Sequence, residues 1–200
     1  MRRALVMAGA WRRAGAAAPR RWYGARADEN PFRAFPATFP SGEPQWDVDV
    51  RRLRREYRQL QGQHHPDVAG GTDEAAQRLN RAYGTLVRPL ARAQFLLARQ
   101  GVDVTADATA QEIMQRDPGL LMRVLDVHEQ LEELESEADV RRLREENRAR
   151  MAGVEAELGR AFAARAWDRA AQLAVELRYW DNVESAVREW EPGTVPHVKH

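Results

Sequence analysis

From Val50 onward the apolar residues recur at steps of three and four, broken by short Pro- and Gly-containing stretches, which confines most of the chain to amphipathic helices. Val50, Leu53, Tyr57 and Leu60 form the first stripe, with Asp47 as the expected N-cap. The opposite face carries Arg51, Arg52, Arg54, Arg55 and Arg58 against the single Glu56. Such a face is ordinarily solvated; five arginines also make it a candidate docking surface for an acidic partner. This helix must stop before Pro66, because the residue ahead of a proline disfavours helical geometry. The loop His65-Pro66-Asp67-Val68-Ala69-Gly70-Gly71 follows. Thr72 is expected to cap a second helix, with Asp73 and Glu74 in its first turn and Ala76, Leu79, Tyr83 and Leu86 as its buried stripe. Pro89 opens a third, which runs through Leu90, Ala93, Phe95, Leu96 and Leu97 and ends near Gly101.

The second half is helical again after the stretch from Val102 to Asp107. Asp117-Pro118 reads as N-cap and first helical residue. At 100° per residue, Leu120, Val124, Val127, Leu131 and Leu134 lie within about 40° of one line and make a core stripe. Leu121, Met122 and Leu125 fall about 100–200° away from it, on the outward side, with Asp126, Glu129 and Glu133. Two readings stand together: an apolar binding patch rimmed by carboxylates, or residues that merely widen the core or contact the first half. A further helix is expected from about Asp139 to Arg165, with Val140, Leu143, Asn147, Val154, Leu158 and Phe162 inward. The last is expected from Trp167 to Trp190, with Ala170, Leu173, Leu177, Trp180 and Val187 inward and Tyr179 pointing away. Short connections make three antiparallel helices in a bundle the economical arrangement.

Charge is unevenly placed. Residues 1–27 hold seven arginines and no acid, so residues 28–200 carry a net charge of −6 although the whole chain is +1. A broad nucleic-acid surface is therefore disfavoured, since it needs clustered positive charge. The Arg- and Ala-rich, acid-free residues 1–27 have the composition of a mitochondrial transit peptide. Pro31, Pro36, Pro40 and Pro44 mark the segment that follows, where one short helix fits near Phe32 to Phe35. No apolar run approaches the roughly 20 residues of a membrane span. The chain has no cysteine, which excludes disulfides, thiol catalysis and cysteine-based zinc or iron–sulfur ligation, and its sole lysine is Lys199. His64 and His65 have only Asp67 nearby, too few ligands for a metal. His128 stands alone on its helix, and His197 and His200 lie near the end of the chain.

Two amphipathic helices joined by a loop bearing His65-Pro66-Asp67, with a basic helix before it and Asn80-Arg81-Ala82-Tyr83 on the helix after, resemble the J domain of DnaJ-class co-chaperones. Pro66 fixes the backbone there, and His65 and Asp67 offer a donor, an acceptor and a charge. A J domain followed by a small helical bundle resembles the HscB/Jac type. The likeness rests on Leu90-Ala91-Arg92-Ala93-Gln94-Phe95-Leu96-Leu97, Leu121-Met122-Arg123-Val124-Leu125-Asp126, Glu129 through Glu133 and Leu177-Arg178-Tyr179. It covers about residues 30–191.

The resemblance implies an all-α protein. Its expected parts are a transit peptide over 1–27, a J domain over 28–100, a linker over 101–110, a scaffold-binding three-helix bundle over 111–191 and a tail over 192–200. It implies a co-chaperone rather than an enzyme, acting in the mitochondrial matrix without a cofactor, a metal, a nucleic acid or a membrane. His65, Pro66, Asp67, Arg51, Arg54, Arg55 and Arg58 would engage a DnaK-type chaperone and stimulate its ATPase. Leu121, Met122, Leu125, Asp126, Glu129, Glu133 and Tyr179 would bind an iron–sulfur cluster scaffold of the IscU type. A general J-domain co-chaperone with another client is the alternative. Two departures are visible: Val68 stands where the family usually has a basic residue, and Asp126 where it often has Glu.

Overall fold

The computed structural model describes residues 29–64 and 73–190, which are helical apart from turns and short connections. A 3-10 turn over Pro31–Ala34 precedes α1 (Val50–His64), α2 (Asp73–Val87), α3 (Pro89–Ala98), α4 (Asp107–Arg116), α5 (Pro118–Glu132), α6 (Glu137–Ala163) and α7 (Trp167–Arg188). The expected transit peptide over 1–27, the His65-Pro66-Asp67 loop, the Thr72 cap and the tail over 192–200 lie outside the described residues.

The first half is an α1–α2 hairpin closed by the proline-rich segment. Phe32, Phe35 and Phe39 of that segment enter one core with Leu53, Leu79, Leu86, Phe95 and Leu96. Burying side chains of this size stabilises by roughly 1.5–3 kcal/mol each. Ala82 and Thr85 widen the buried face of α2 beyond the expected stripe. The cap of α1 is Asp49, not Asp47: its Oδ1 accepts the Arg52 N–H at 2.9 Å. That hydrogen bond holds the Asp49 carboxyl below the usual carboxylate range. The helix begins at Val50, so the residue directly ahead of it is the one placed to cap.

Pro89 stands at N1 of α3, and Gly101, at φ +78°, closes its far end with the Gly101 N–H on the Ala98 carbonyl and the Val102 N–H on the Leu97 carbonyl. The 101–110 segment, expected as a linker, is partly helical and packed. Val104 and Ala110 are buried, and α4 is a short helix ahead of the expected three. α6 is capped by Ser136, whose Oγ accepts the Asp139 N–H, so it starts two residues earlier than its apolar pattern suggested. The turn into α7 takes Arg165 to a left-handed φ of 53°.

α7 is the axis of the bundle and touches α3, α4, α5 and α6. Its expected inward residues are buried, but so are Ala171, Ala174, Val175, Val183 and Ala186. A helix surrounded on several sides has no clean apolar stripe. Asn147 of α6 is fully buried and donates to the Trp180 carbonyl at 2.9 Å. Glu184 of α7 is buried too, bridged by Arg144 at 3.0 Å and Arg148 at 3.3 Å. α3 serves both halves: Phe95 and Leu96 enter the hairpin core, Ala93 and Leu97 the bundle core.

Candidate protein-interaction surfaces

On α1, Leu53 and Glu56 face inward while Arg51, Arg52, Arg54, Arg55 and Arg58 are exposed. Glu56 does not neutralise them. Its two carboxylate oxygens accept the Ala37 N–H at 2.8 Å and the Thr38 N–H at 2.7 Å, tying the proline-rich segment to the helix. The exposed face of α1 is thus purely cationic between Arg51 and Arg58, and none of its arginines forms an ion pair among the described residues. Near the loop, the Tyr57 and Tyr83 rings stack at 3.9 Å. Tyr57 Oη donates to Asn80 Oδ1 at 2.9 Å and accepts from Gln61 Nε2 at 2.6 Å. Burial, and then Tyr83, raises the Tyr57 phenol above its ordinary value, so it remains a donor at neutral pH. These contacts hold α1 and α2 in register at Tyr57 and Gln61 against Asn80 and Tyr83.

The second surface is built on α5. Asp117 Oδ1 accepts the Leu120 N–H at 2.9 Å and Pro118 follows at N1, which sets the start of the helix and hence which side each residue takes. Leu120, Val124, Val127 and Leu131 are buried. Leu121, Met122 and Leu125 are 44%, 58% and 48% exposed and are the exposed large hydrophobic residues of the described chain. The core-widening alternative therefore fails for these three. Asp126 and Glu129 are exposed on the same helix, and Glu133 is exposed at its C-cap. Tyr179 is half-buried against the bundle core, closer in than its angular position suggested.

One pair at this surface has no local sequence signal. Arg123 of α5 and Glu176 of α7 meet at 3.2 Å across 53 residues. Glu176 also accepts from the Trp180 indole at 3.3 Å. The pair ties the exposed stripe of α5 to the turn of α7 that carries Tyr179. Glu176 is mostly buried, so its carboxylate is less screened than those of Asp126, Glu129 and Glu133. Among the described residues no group of three or more His, Asp or Glu could hold a metal ion, and no helix is long and apolar enough to cross a membrane.

Residues 116–188, the span from the end of α4 through α7, match the family model described as the HSCB C-terminal oligomerisation domain. Over 170 residues, 84% of this chain and 92% of the relative, the sequence is 42% identical to the mitochondrial J-type co-chaperone Jac1 of Saccharomyces cerevisiae. The chain belongs to the HscB/Jac1 family of J-type co-chaperones. A solved structure of the yeast Jac1 co-chaperone superposes with a TM-score of 0.73, covering 84% of this chain and 98% of that one. The iron–sulfur cluster co-chaperone HscB of Mus musculus is 28% identical over 149 residues, 70% of this chain and 62% of that protein. As a family member the protein is a mitochondrial J-type co-chaperone, and the family serves iron–sulfur cluster assembly.

Proposed function

We propose that the protein couples an IscU-type cluster scaffold to a DnaK-type chaperone in the mitochondrial matrix and stimulates the chaperone's ATPase, so that the cluster is passed on. The observation that carries this reading is the exposure of Leu121, Met122 and Leu125 together on one helix whose opposite face is fully buried. An apolar patch with a carboxylate rim on an otherwise polar helix suits a protein partner presenting apolar side chains beside basic ones. Asp126, Glu129 and Glu133 supply the rim, and Tyr179 an aromatic edge. The cationic face at Arg51, Arg54, Arg55 and Arg58 suits an acidic groove on the chaperone, with His65-Pro66-Asp67 as the trigger. Residues 1–27 act as the targeting segment, 28–100 as the J domain and 111–191 as the scaffold-binding bundle. Holding both partners on one molecule raises the local concentration of scaffold at the chaperone.

The test is calorimetric titration with the scaffold, beside ATPase stimulation of the chaperone. Wild type should bind at micromolar affinity, about −8 kcal/mol. L121A/M122A/L125A should lose scaffold binding yet keep basal ATPase stimulation. His65→Gln should do the reverse. Loss of both functions in either variant would reject the division of labour.

A further inference from the structure

Trp46 lies in the strap ahead of α1, outside every helix, yet it packs against both cores. Its indole stacks on Phe162 of α6 with ring centroids 5.2 Å apart and planes 24° from parallel. The Arg92 guanidinium of α3 sits over the same indole at 4.6 Å. A Cβ at Gly159 of α6 would lie 3.1 Å from Cδ1 and Nε1 of Trp46, so the indole rests directly on the α6 backbone. Arg92 is itself buried and donates to the Leu86 carbonyl at 2.7 Å, which anchors it to the C-terminal end of α2. Burial lowers its pKa from the ordinary value, and Glu155 on α6 and then Asp47 in the strap oppose that shift. Strap, α2, α3 and α6 therefore converge on one side chain.

We infer that Trp46 is a positioning residue that pins the hairpin to the bundle and fixes the angle at which the protein presents its two partners to each other. The inference rests on the proposed function for its purpose, though not for its geometry. A bulky aromatic ring held between a cation, a second ring and a bare helix backbone resists both sliding and rotation, because each displacement breaks a different contact. Core burial alone asks for no glycine at position 159 and no buried cation at position 92. The two partner surfaces belong to different halves, α1 to the hairpin and α5 to the bundle. A looser joint, with α3 still shared between the cores, would leave each surface intact and dilute the simultaneous engagement of both.

The absence of cysteine makes the joint directly measurable. Cysteines introduced at the exposed Gln77 of α2 and Glu145 of α6 would carry a spin-label pair across it. Two variants remove the pin by different routes: Gly159→Leu expels the indole with a good helix former, and Trp46→Ala deletes it outside any helix. Wild type should give one narrow distance distribution, and both variants a broad one with helical circular dichroism retained. Each variant should bind scaffold alone and stimulate the chaperone alone as wild type does. The scaffold concentration for half-maximal joint stimulation should rise about tenfold. A narrow distribution in both variants, a broad one in wild type, or unchanged joint stimulation would overturn the inference, as would loss of helicity in both variants. If wild type itself fails to engage either partner, the functional reading falls while the label distances still decide the pin.

Discussion

Asn147 donates its side-chain N–H to the main-chain carbonyl of Trp180, joining α6 to α7 at 2.9 Å inside the bundle, while its own Oδ1 has no hydrogen-bond partner. The bond is asymmetric. Trp180 sits mid-helix, so its carbonyl keeps an intrahelical donor if Asn147 is replaced. Asn147→Leu removes a buried oxygen without a partner and should cost little, within about 1.5 kcal/mol. Asn147→Asp puts a charge in the same place and should cost about 3 kcal/mol or more. Urea unfolding of the two variants at neutral pH separates them; equal destabilisation would mean that the amide is tuned to its site.

Glu56 is the one acid in the arginine helix, and its structural task is to receive two backbone donors. Glu56→Ala leaves the Ala37 and Thr38 N–H groups without their acceptor and should destabilise by about 2–4 kcal/mol. Glu56→Gln keeps one acceptor oxygen and should cost roughly half as much. Thermal unfolding measures both. Selective loss of hydrogen-exchange protection over residues 31–42 would locate the effect.

Leu121, Met122 and Leu125 leave about half of their surface to solvent and lie outside both cores. Each changed to Ala should alter stability by no more than about 0.5 kcal/mol, because surface positions away from special features rarely matter more and Ala favours the helix. A joint drop in melting temperature of many degrees would show that they belong to the fold rather than to a partner.

Burial raises the Glu155 carboxyl above its ordinary value, with Arg92 opposing. A carboxyl whose folded pKa exceeds its unfolded one binds protons more readily when folded. Its contribution to stability is then complete below the unfolded value and lost as pH rises through the folded one. Glu155→Gln should therefore exceed wild type in stability at neutral pH and converge with it below about pH 4. Denaturant midpoints between pH 4 and 8 test this; a constant offset across the range would assign the effect to packing.

The helices of the hairpin were legible because each has one dry side, so spacing alone reveals it. The exposed patch of α5 was legible for the same reason: Leu121, Met122 and Leu125 sit where the wheel turns away from Leu120, Val124 and Val127. α7 was legible only in part, since four neighbours dry it on several sides and its apolar residues lose their period. Glu56 read as part of a charged face because its acceptors' partners, at Ala37 and Thr38, are distant in sequence. Trp46, Arg92 and Gly159 have no local pattern at all; only the fold brings them to one place. Arg123 and Glu176 are hidden likewise.

Because α3 lends one side to each core, the protein is separable by task and indivisible as a polymer. A chain severed after Gly101 would carry Ala93 and Leu97 into water on the hairpin fragment and strip the same two from the bundle fragment. The hairpin piece would keep its own core but expose new apolar surface beside it, and the bundle piece would be left with an open interior. The two recognition surfaces are carried on cores that share one helix, so loss of α3 would take away both, whereas loosening the Trp46 contact leaves each in place.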